Sequence, residues 1–409
     1  MGVCDSWRYY AIIFKKEEVM EQALITPDVL IWARERADYT IDMLSDKLQT
    51  KVEKLKAWES GELKPTFKQA QALAQKLHIP FGYLFLRQPP KENLPIPDLR
   101  TIKDRGQKSI SVDFRDLLND MKRKQAWYRE YAIENGEEAF LYLGKFSLKN
   151  SIEEVSNSIK KALNISNEDR KKCRNEKEYL KLLSDSVDEL GVLVMRNSIV
   201  GANTHRHLSV DEFRGFAISD AYAPLIFINS SDANSAKIFT LVHELAHLWI
   251  DESGISAVSL DRIDNADIES FCNAVSAEVL VPKFEFTTLW NEQEDIVANI
   301  NATANHFKVS TFVTARRALN LGFIEKDAFF AYYTEATKKF KSYLREEKKS
   351  KKPGGNYYDT ARTRLGSQFS RAVVTSVLEG KTLYRDGGTL LNMNPSNIMK
   401  FAKSLKVVQ

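Results

Sequence analysis

The chain has 409 residues, of which 59 are Lys or Arg, 55 are Asp or Glu, and 43% are hydrophobic. This length allows two or three domains with cores of their own. The net charge of +4 does not by itself indicate a nucleic acid partner, and no apolar run approaches the roughly 20 residues of a membrane span, so no membrane partner is expected. Three widely spaced cysteines, an odd number, indicate reduced thiols and a cytoplasmic location.

The first predicted domain, residues 22–88, has the helix lengths and caps of a five-helix bundle. Thr40 opens the second helix, Gly61 follows the third, and Pro65 precedes the fourth. The segment WESGELKPT at 58–66 resembles the end of the recognition helix in Xre/Cro-type helix-turn-helix domains. The resemblance implies that fold, and it allows a homodimer, which is common among such proteins.

DNA binding by this domain depends on the amino end of its third helix. A recognition helix reads base edges through residues near that end. Here these residues include Lys51, Lys54 and Lys56, which can meet phosphates or guanine. Val52 and Glu53 are less typical at such positions. Two interpretations therefore stay open, namely DNA binding through the lysines, or a bundle that serves protein interaction.

Two segments separate this bundle from the next domain. Residues 89–110 are proline-rich and then charged, which predicts a linker that wraps a surface. Residues 111–184 are predicted to be helical, because apolar residues from Phe114 to Met121 have the spacing of one buried helix face. A strand near Gly191 is then expected in the core domain that follows.

The segment TLVHELAHLW at 240–249 contains His-Glu-x-x-His, at His243, Glu244 and His247. Positions four apart share a helix face, so both imidazoles can point at one metal ion. The glutamate between them can take a proton from a water molecule that zinc activates, as in zinc peptidases. Two predicted strands before the helix place it beside a sheet edge, where a peptide could lie as an added strand. The alternative is a pair of core histidines.

A catalytic zinc usually has three protein ligands and one water. Ser253 stands where metzincins carry a third histidine, so a carboxylate from a later helix is expected instead. That helix carries Glu269 and Glu278, which are about half a turn out of phase, so only one can face the site. Asn273 follows Glu269 by one turn. We therefore predict Glu269 as ligand, Asn273 as a partner that orients a histidine, and Glu278 as structural or solvated.

The segments FTLVHELAH at 239–247 and ESFCNAVSAEVLVP at 269–282 are similar to the ImmA/IrrE family of metallopeptidases. The resemblance covers residues 185–325, which we take as the metallopeptidase core. It implies a small thermolysin-like core with a small antiparallel sheet. It also implies a bound Zn²⁺ with Glu244 as general base and with three ligands, His243, His247 and Glu269.

Residues 326–409 are predicted to form a basic helical region. Lys and Arg are in excess over residues 338–372, and a second helix-turn-helix outline lies between Leu383 and Leu405. This region could bind nucleic acid or form a small helical cap on the core. The fold class expected for the chain is α+β and mostly helical.

The intact motif and the resemblance predict a zinc-dependent endopeptidase that acts on a protein substrate, a transcriptional repressor. This activity would be coupled to DNA binding and transcription regulation, in stress response or mobile-element control. The rival is a non-catalytic antitoxin and transcription autoregulator that binds a partner toxin through the peptidase-like fold.

Overall fold

The computed structural model describes residues 22–91, 110–251, 254–256, 267–349 and 356–408. The chain divides into two compact units, Met1–Asn93 and Leu94–Gln409. Most of the predicted linker, residues 89–110, lies outside the described residues, as does the end of the charged segment after Lys349. Among the described residues, no helix is both long and apolar enough to cross a membrane.

The described part of the first unit is a helical bundle around a small apolar core. Leu30, Leu44, Leu55 and Leu73 are fully buried in this core, and Trp58 is nearly so. The five-helix prediction is confirmed, with a 3-10 helix as the last element. The elements are α1 (Pro27–Arg36), α2 (Ile41–Leu48), α3 (Val52–Glu59), α4 (Phe67–Lys76) and the 3-10 helix Phe81–Phe85.

Helices α2 and α3 form the helix-turn-helix. The side chain of Thr40 caps α2 by accepting a hydrogen bond from the Met43 amide at 3.2 Å. Gln49 ends α2 in the left-handed conformation, which lets the chain turn sharply before α3. Arg34 of α1 donates to Glu59 at 2.7 Å, and this partly buried ion pair holds the end of α3 against α1.

The second unit contains a four-stranded sheet in the order β1-β3-β2-β4. The predicted antiparallel arrangement is confirmed for β2 with β3 and for β2 with β4, but it is wrong for β1, which pairs parallel with β3. The sequence locates strands but not their partners, and β1 skips its neighbour along the chain. The strands are β1 (Leu193–Asn197), β2 (Gly215–Ile218), β3 (Leu225–Asn229) and β4 (Gly254–Ser256).

Helices cover both faces of this sheet. Their bounds are α5 (Val112–Glu134), α6 (Ile152–Leu163), α7 (Asn167–Lys172), α8 (Glu176–Glu189), α9 (Asn234–Trp249), α10 (Asp267–Leu280), α11 (Lys283–Leu289), α12 (Ile296–Phe307), α13 (Thr311–Leu321), α14 (Lys326–Lys349), α15 (Tyr357–Leu365), α16 (Ser367–Leu378), α17 (Tyr384–Leu390) and α18 (Ile398–Ser404).

Alternation along the strands sends neighbouring side chains into two different cores. Val194 and Ile226 pack into the first core, with α6 and α8 to α14. Leu193 and Phe227 pack into the second core, with α5 and α15 to α18. Strand β3 is buried at every position because both of its faces are covered. The helices at the carboxyl end therefore cap the back of the sheet.

Candidate metal centre

Helix α9 carries the His-Glu-x-x-His motif through the first core. Every residue from Ile238 to Trp249 is buried, and His243, Glu244 and His247 are 0% exposed. Its apolar residues pack against the sheet and against α10, which is why the helix forms with hydrophobic side chains around its full circumference. Polar groups buried this deeply destabilise the fold unless they are hydrogen-bonded, paired or bound to a metal.

The two histidines meet the carboxylate of Glu269, which α10 supplies. The Nε2 atoms of His243 and His247 lie 3.1 Å apart. The two oxygens of Glu269 lie 3.2 Å from the first nitrogen and 3.3 Å from the second. Ligand atoms placed about 2.0–2.1 Å from one zinc ion at tetrahedral angles are about 3.3 Å apart. The three side chains therefore fit the face of a zinc tetrahedron.

The electrostatics of the cluster also suit a cation. Burial raises the pKa of Glu269, but the adjacent imidazoles of His243 and His247 outweigh it and hold the pKa well below its usual range. Burial lowers the pKa of His247. At neutral pH the site therefore offers an ionised carboxylate and a neutral imidazole, the protonation states in which these side chains bind a metal.

Glu244 lies on the side of α9 that faces strand β2. A β-carbon built on Gly215 would lie 3.0 Å from Glu244 Oε1 and 2.5 Å from Thr240 Cγ2. The absence of a side chain at Gly215 lets the strand approach the glutamate closely. Gly215 lies outside the motifs that predict the site, although a glycine inside a strand is a recognised signal of close approach.

Residues 187–319 match the protein family described as the IrrE N-terminal-like domain, and residues 30–84 match the family described as helix-turn-helix. The protein joins a helix-turn-helix domain to an IrrE N-terminal-like peptidase domain. Both resemblances expected from the sequence are thereby confirmed. A third segment, residues 365–404, matches a domain of unknown function, and the search of curated proteins found no match.

The IrrE N-terminal-like domain belongs to a peptidase family that is typically metal-dependent. Its cluster of His243, His247 and Glu269 could hold a metal ion. The match covers the three residues together with Glu244.

The other two polar residues predicted on α10 differ in their surroundings. Glu278 pairs with Arg317 and accepts from the amide of Lys283 at 3.2 Å, so it holds α10 against α13 and the start of α11. Asn273 Oδ1 and His243 Nδ1 are both buried and lack a hydrogen-bond partner in the described part of the chain. The orienting role of Asn273 stays a prediction.

The three lysines predicted to contact DNA are exposed at the start of helix α3 in the helix-turn-helix domain. Lys51 is the N-cap residue, and Lys54 and Lys56 follow on the solvent side, opposite the buried Leu55. The ammonium group of Lys54 lies 5.5 Å from the centre of the Trp58 ring. These positions leave all three charges accessible to a phosphate backbone.

The sheet edge next to the metal cluster belongs to β4. Strand β4 pairs with β2 from Gly215 to Ala217, so it takes the edge of β2 that the sequence suggested for a substrate strand. An extended peptide that adds to this sheet would pair with β4 instead.

Proposed function

We propose that this protein is a zinc-dependent endopeptidase that acts on a protein substrate. The observation that carries the proposal is the convergence of two imidazole nitrogens and one carboxylate, with separations of 3.1–3.3 Å, beside a buried glutamate on the same helix. Two histidines and one glutamate are the ligand set of several zinc peptidases, in which the fourth position is left for water or substrate.

The chemistry follows from the donors and from the placement of Glu244. A bound zinc ion would polarise the scissile carbonyl and lower the pKa of a water molecule in the site. Glu244, one residue after the first ligand, would accept the proton of that water and then donate it to the leaving amine. Gly215 leaves room for the carboxylate beside the sheet. His243, His247 and Glu269 would hold the metal.

We infer from the ImmA/IrrE resemblance that the substrate is a transcriptional repressor, whose cleavage would release repressed genes in stress response or mobile-element control. The helix-turn-helix domain implies DNA binding. It would bring the peptidase to the DNA on which such a repressor sits, through Lys51, Lys54 and Lys56. This role places the protein in the cytoplasm, and a homodimer would suit the two-fold symmetry of many operators.

Glu244→Gln tests the catalytic proposal directly. The amide is nearly isosteric with the carboxylate but cannot accept the proton, so cleavage of the repressor is expected to fall by at least a hundredfold. The zinc content is expected to stay unchanged, because Glu244 is not a ligand. Unchanged biological activity in this variant would count against the peptidase assignment.

A second candidate function is non-catalytic, and one observation favours it. His243, Glu244 and His247 are all 0% exposed, whereas a catalytic metal needs access for water and substrate. In this alternative the protein is an antitoxin and transcription autoregulator, the metal is structural or absent, and the peptidase-like fold binds a partner toxin. Glu244→Gln would then leave toxin neutralisation and repression intact.

A further inference from the structure

A basic cavity of about 870 Å³ lies in the second unit, away from the metal cluster. It opens at the carboxyl ends of the parallel strands β1 and β3, where Arg196 and Ser230 line it. Helix α8 forms one wall, the start of α9 another, and the turn between α15 and α16 a third. Crevices at the carboxyl ends of parallel strands are common ligand sites in α/β folds.

Three of the cations that line this cavity form no ion pair with a described acidic residue. Arg196, Lys237 and Arg371 all line it, and within the described ranges none of them forms an ion pair within 4.0 Å. Burial lowers the pKa of Arg196. Burial, followed by repulsion from Arg196, lowers the pKa of Lys237. The fold thus holds two positive charges close enough to repel each other, in partly buried positions that an anion would stabilise.

Three of the four acidic residues that line the cavity are already engaged. Asp188 accepts a hydrogen bond from the Gln368 amide at 3.1 Å and thereby joins α8 to α16. Asp185 pairs with Lys181, and Glu178 accepts from Arg174 at 2.8 Å. Glu189, the fourth, is exposed and forms no ion pair within the described ranges, so the unpaired charge of the walls is positive on balance, with Arg196, Lys237 and Arg371 against one carboxylate.

Helix α9 borders the cavity at its amino end and carries the metal motif further along. It begins at Asn234, directly after the loop that follows β3, and the carboxylate of Glu176 already accepts hydrogen bonds from Ser235 in its first turn. The cavity therefore depends on its side-chain cations for anion binding. Lys237 lies six positions before His243, a rise of about 9 Å along the helix. The anion site and the metal cluster are therefore different places on α9.

The remaining lining indicates what kind of anion fits. Among the described residues that line the cavity, none is an aromatic on which a nucleobase could stack, and the apolar lining is limited to Leu180 and Val194 together with the stems of longer residues. Hydroxyl and amide groups are frequent instead, from Ser184, Asn234 and Thr363 among others. The volume lies within the range of small-molecule sites, about 300–1,000 Å³.

We propose that the basic cavity binds a phosphorylated polyhydroxy compound of the sugar-phosphate class. Arg196, Lys237 and Arg371 would hold the phosphate group. The hydroxyl and amide groups of the walls would bind the sugar hydroxyls. Through this site the protein would sense a metabolite. The site is separate from the metal cluster, and its ligand could act on either the DNA-binding domain or the peptidase domain.

Isothermal titration calorimetry on the full chain tests this proposal, with ribose 5-phosphate, ribose, inorganic phosphate and adenosine monophosphate as probes. Ribose 5-phosphate is expected to bind saturably at one site, and ribose alone should give no heat of binding. Inorganic phosphate is expected to bind at least tenfold more weakly. Adenosine monophosphate should match ribose 5-phosphate within about threefold, since the base finds no stacking partner.

Three variants locate the binding. Lys237→Gln and Arg371→Gln are each expected to weaken ribose 5-phosphate binding at least tenfold. Lys161→Gln, at an exposed lysine of α6 outside the cavity, removes the same charge and should leave binding unchanged. Arg371 is exposed, so its replacement does not disturb the core. The thermal midpoint of Lys237→Gln without ligand should be no lower than that of the native protein, because a partly buried charge is removed.

Several outcomes would overturn the proposal. Absence of saturable binding, or equal affinity in native protein and in both cavity variants, would remove the site. Equal binding of inorganic phosphate would show an adventitious ion only. Adenosine monophosphate at least tenfold tighter than ribose 5-phosphate would replace the sugar-phosphate class by nucleotides. Glu269→Ala should retain ribose 5-phosphate binding, which separates this proposal from that of the metal centre.

Discussion

At the scale of single residues, Gly215 allows a close approach between sheet and helix beside the proposed general base. Its missing side chain leaves Thr240 and Glu244 in van der Waals reach of strand β2, and the carbonyl of Phe227 would lie 3.0 Å from any added β-carbon. The backbone cannot yield easily there, because β2 is paired on both sides. The small size of Gly215 therefore determines how closely Glu244 lies to strand β2.

Gly215→Ala is expected to destabilise the protein by about 1–3 kcal/mol, the usual range for overpacking a core. Denaturant unfolding measures this loss. Gly215→Ala combined with Thr240→Ser removes the closest clash and should recover part of the stability. Gly82→Ala, at a glycine with no atom within 4 Å of the added carbon, is the control. A Gly215→Ala variant as stable as the native protein would contradict the close approach.

Another single residue, Asp188, makes the free energy of unfolding depend on pH. Burial raises the pKa of Asp188 to about 7, with Asp185 adding repulsion, and hydrogen bonds and Arg371 oppose the rise. The folded pKa lies above the unfolded value of about 3.9, so the folded state binds the proton more tightly. The contribution of this group to the unfolding free energy therefore falls as pH rises from about 4 to about 7.

Asp188→Asn removes that titration. In a buffer without phosphate, the variant and the native protein should have similar unfolding free energies near pH 4, and the variant should be the more stable of the two at pH 8. The amide oxygen of asparagine can still accept from Gln368. Parallel stability curves between pH 4 and pH 8 would show that Asp188 does not titrate in this range.

At the scale of elements, the helix-turn-helix is the part that the sequence predicts best. Its caps, turn and buried stripe are local signals, and they specify α2 and α3 almost alone. Contacts with DNA are harder to predict, because they depend on which exposed charges lie along a partner. The structure places Lys51, Lys54 and Lys56 on the solvent side. This position agrees both with DNA binding and with protein interaction by the bundle.

Lys51→Gln and Lys56→Gln test the DNA-binding role on non-specific duplex DNA. Each lost phosphate contact is expected to reduce the slope of log K against log salt concentration by about 0.9. Fluorescence anisotropy at several salt concentrations gives this slope. Lys76→Gln, at an exposed lysine in the last turn of α4, should leave the slope unchanged. Slopes that do not respond to the first two changes would favour a protein-interaction bundle.

The cluster of His243, His247 and Glu269 is predictable for a similar reason, because two of its members lie on one helix. The third required a choice between Glu269 and Glu278 by helical phase, and the structure brings Glu269 to the histidines and Glu278 to Arg317. The predicted direction of β1 is wrong, since strand pairing depends on contacts far apart in sequence. The basic cavity is not predictable from the sequence for the same reason.

At the scale of the whole molecule, the carboxyl-terminal helices α15 to α18 belong to the second unit. Phe369 of α16 is 0% exposed and lies edge-on to Trp127 of α5, with ring centres 5.8 Å apart. The same core contains Phe227 of the central strand. The sequence suggests either a nucleic acid site or a small helical cap on the core for this region. The packing of its helices on the sheet shows that it is a cap.

Phe369→Ala is expected to cost about 3–5 kcal/mol, the range for a large aromatic residue removed from a core. Because the second core includes the sheet, we expect the whole second unit to unfold earlier in urea, in one transition. Phe330→Ala, at a residue 44% exposed, should have little effect. A separate early transition confined to the helices after α14 would contradict this packing.

The metal content of the purified protein is the direct test of a zinc site at His243, His247 and Glu269. Elemental analysis of the native chain and of Glu269→Ala measures it, with Glu278→Ala as a control that removes a carboxylate from the same helix. We expect about one zinc per chain in the native protein and in the control, and loss of the metal in Glu269→Ala. Native protein that holds no zinc, even after reconstitution, would rule out the zinc site and leave the non-catalytic binding alternative.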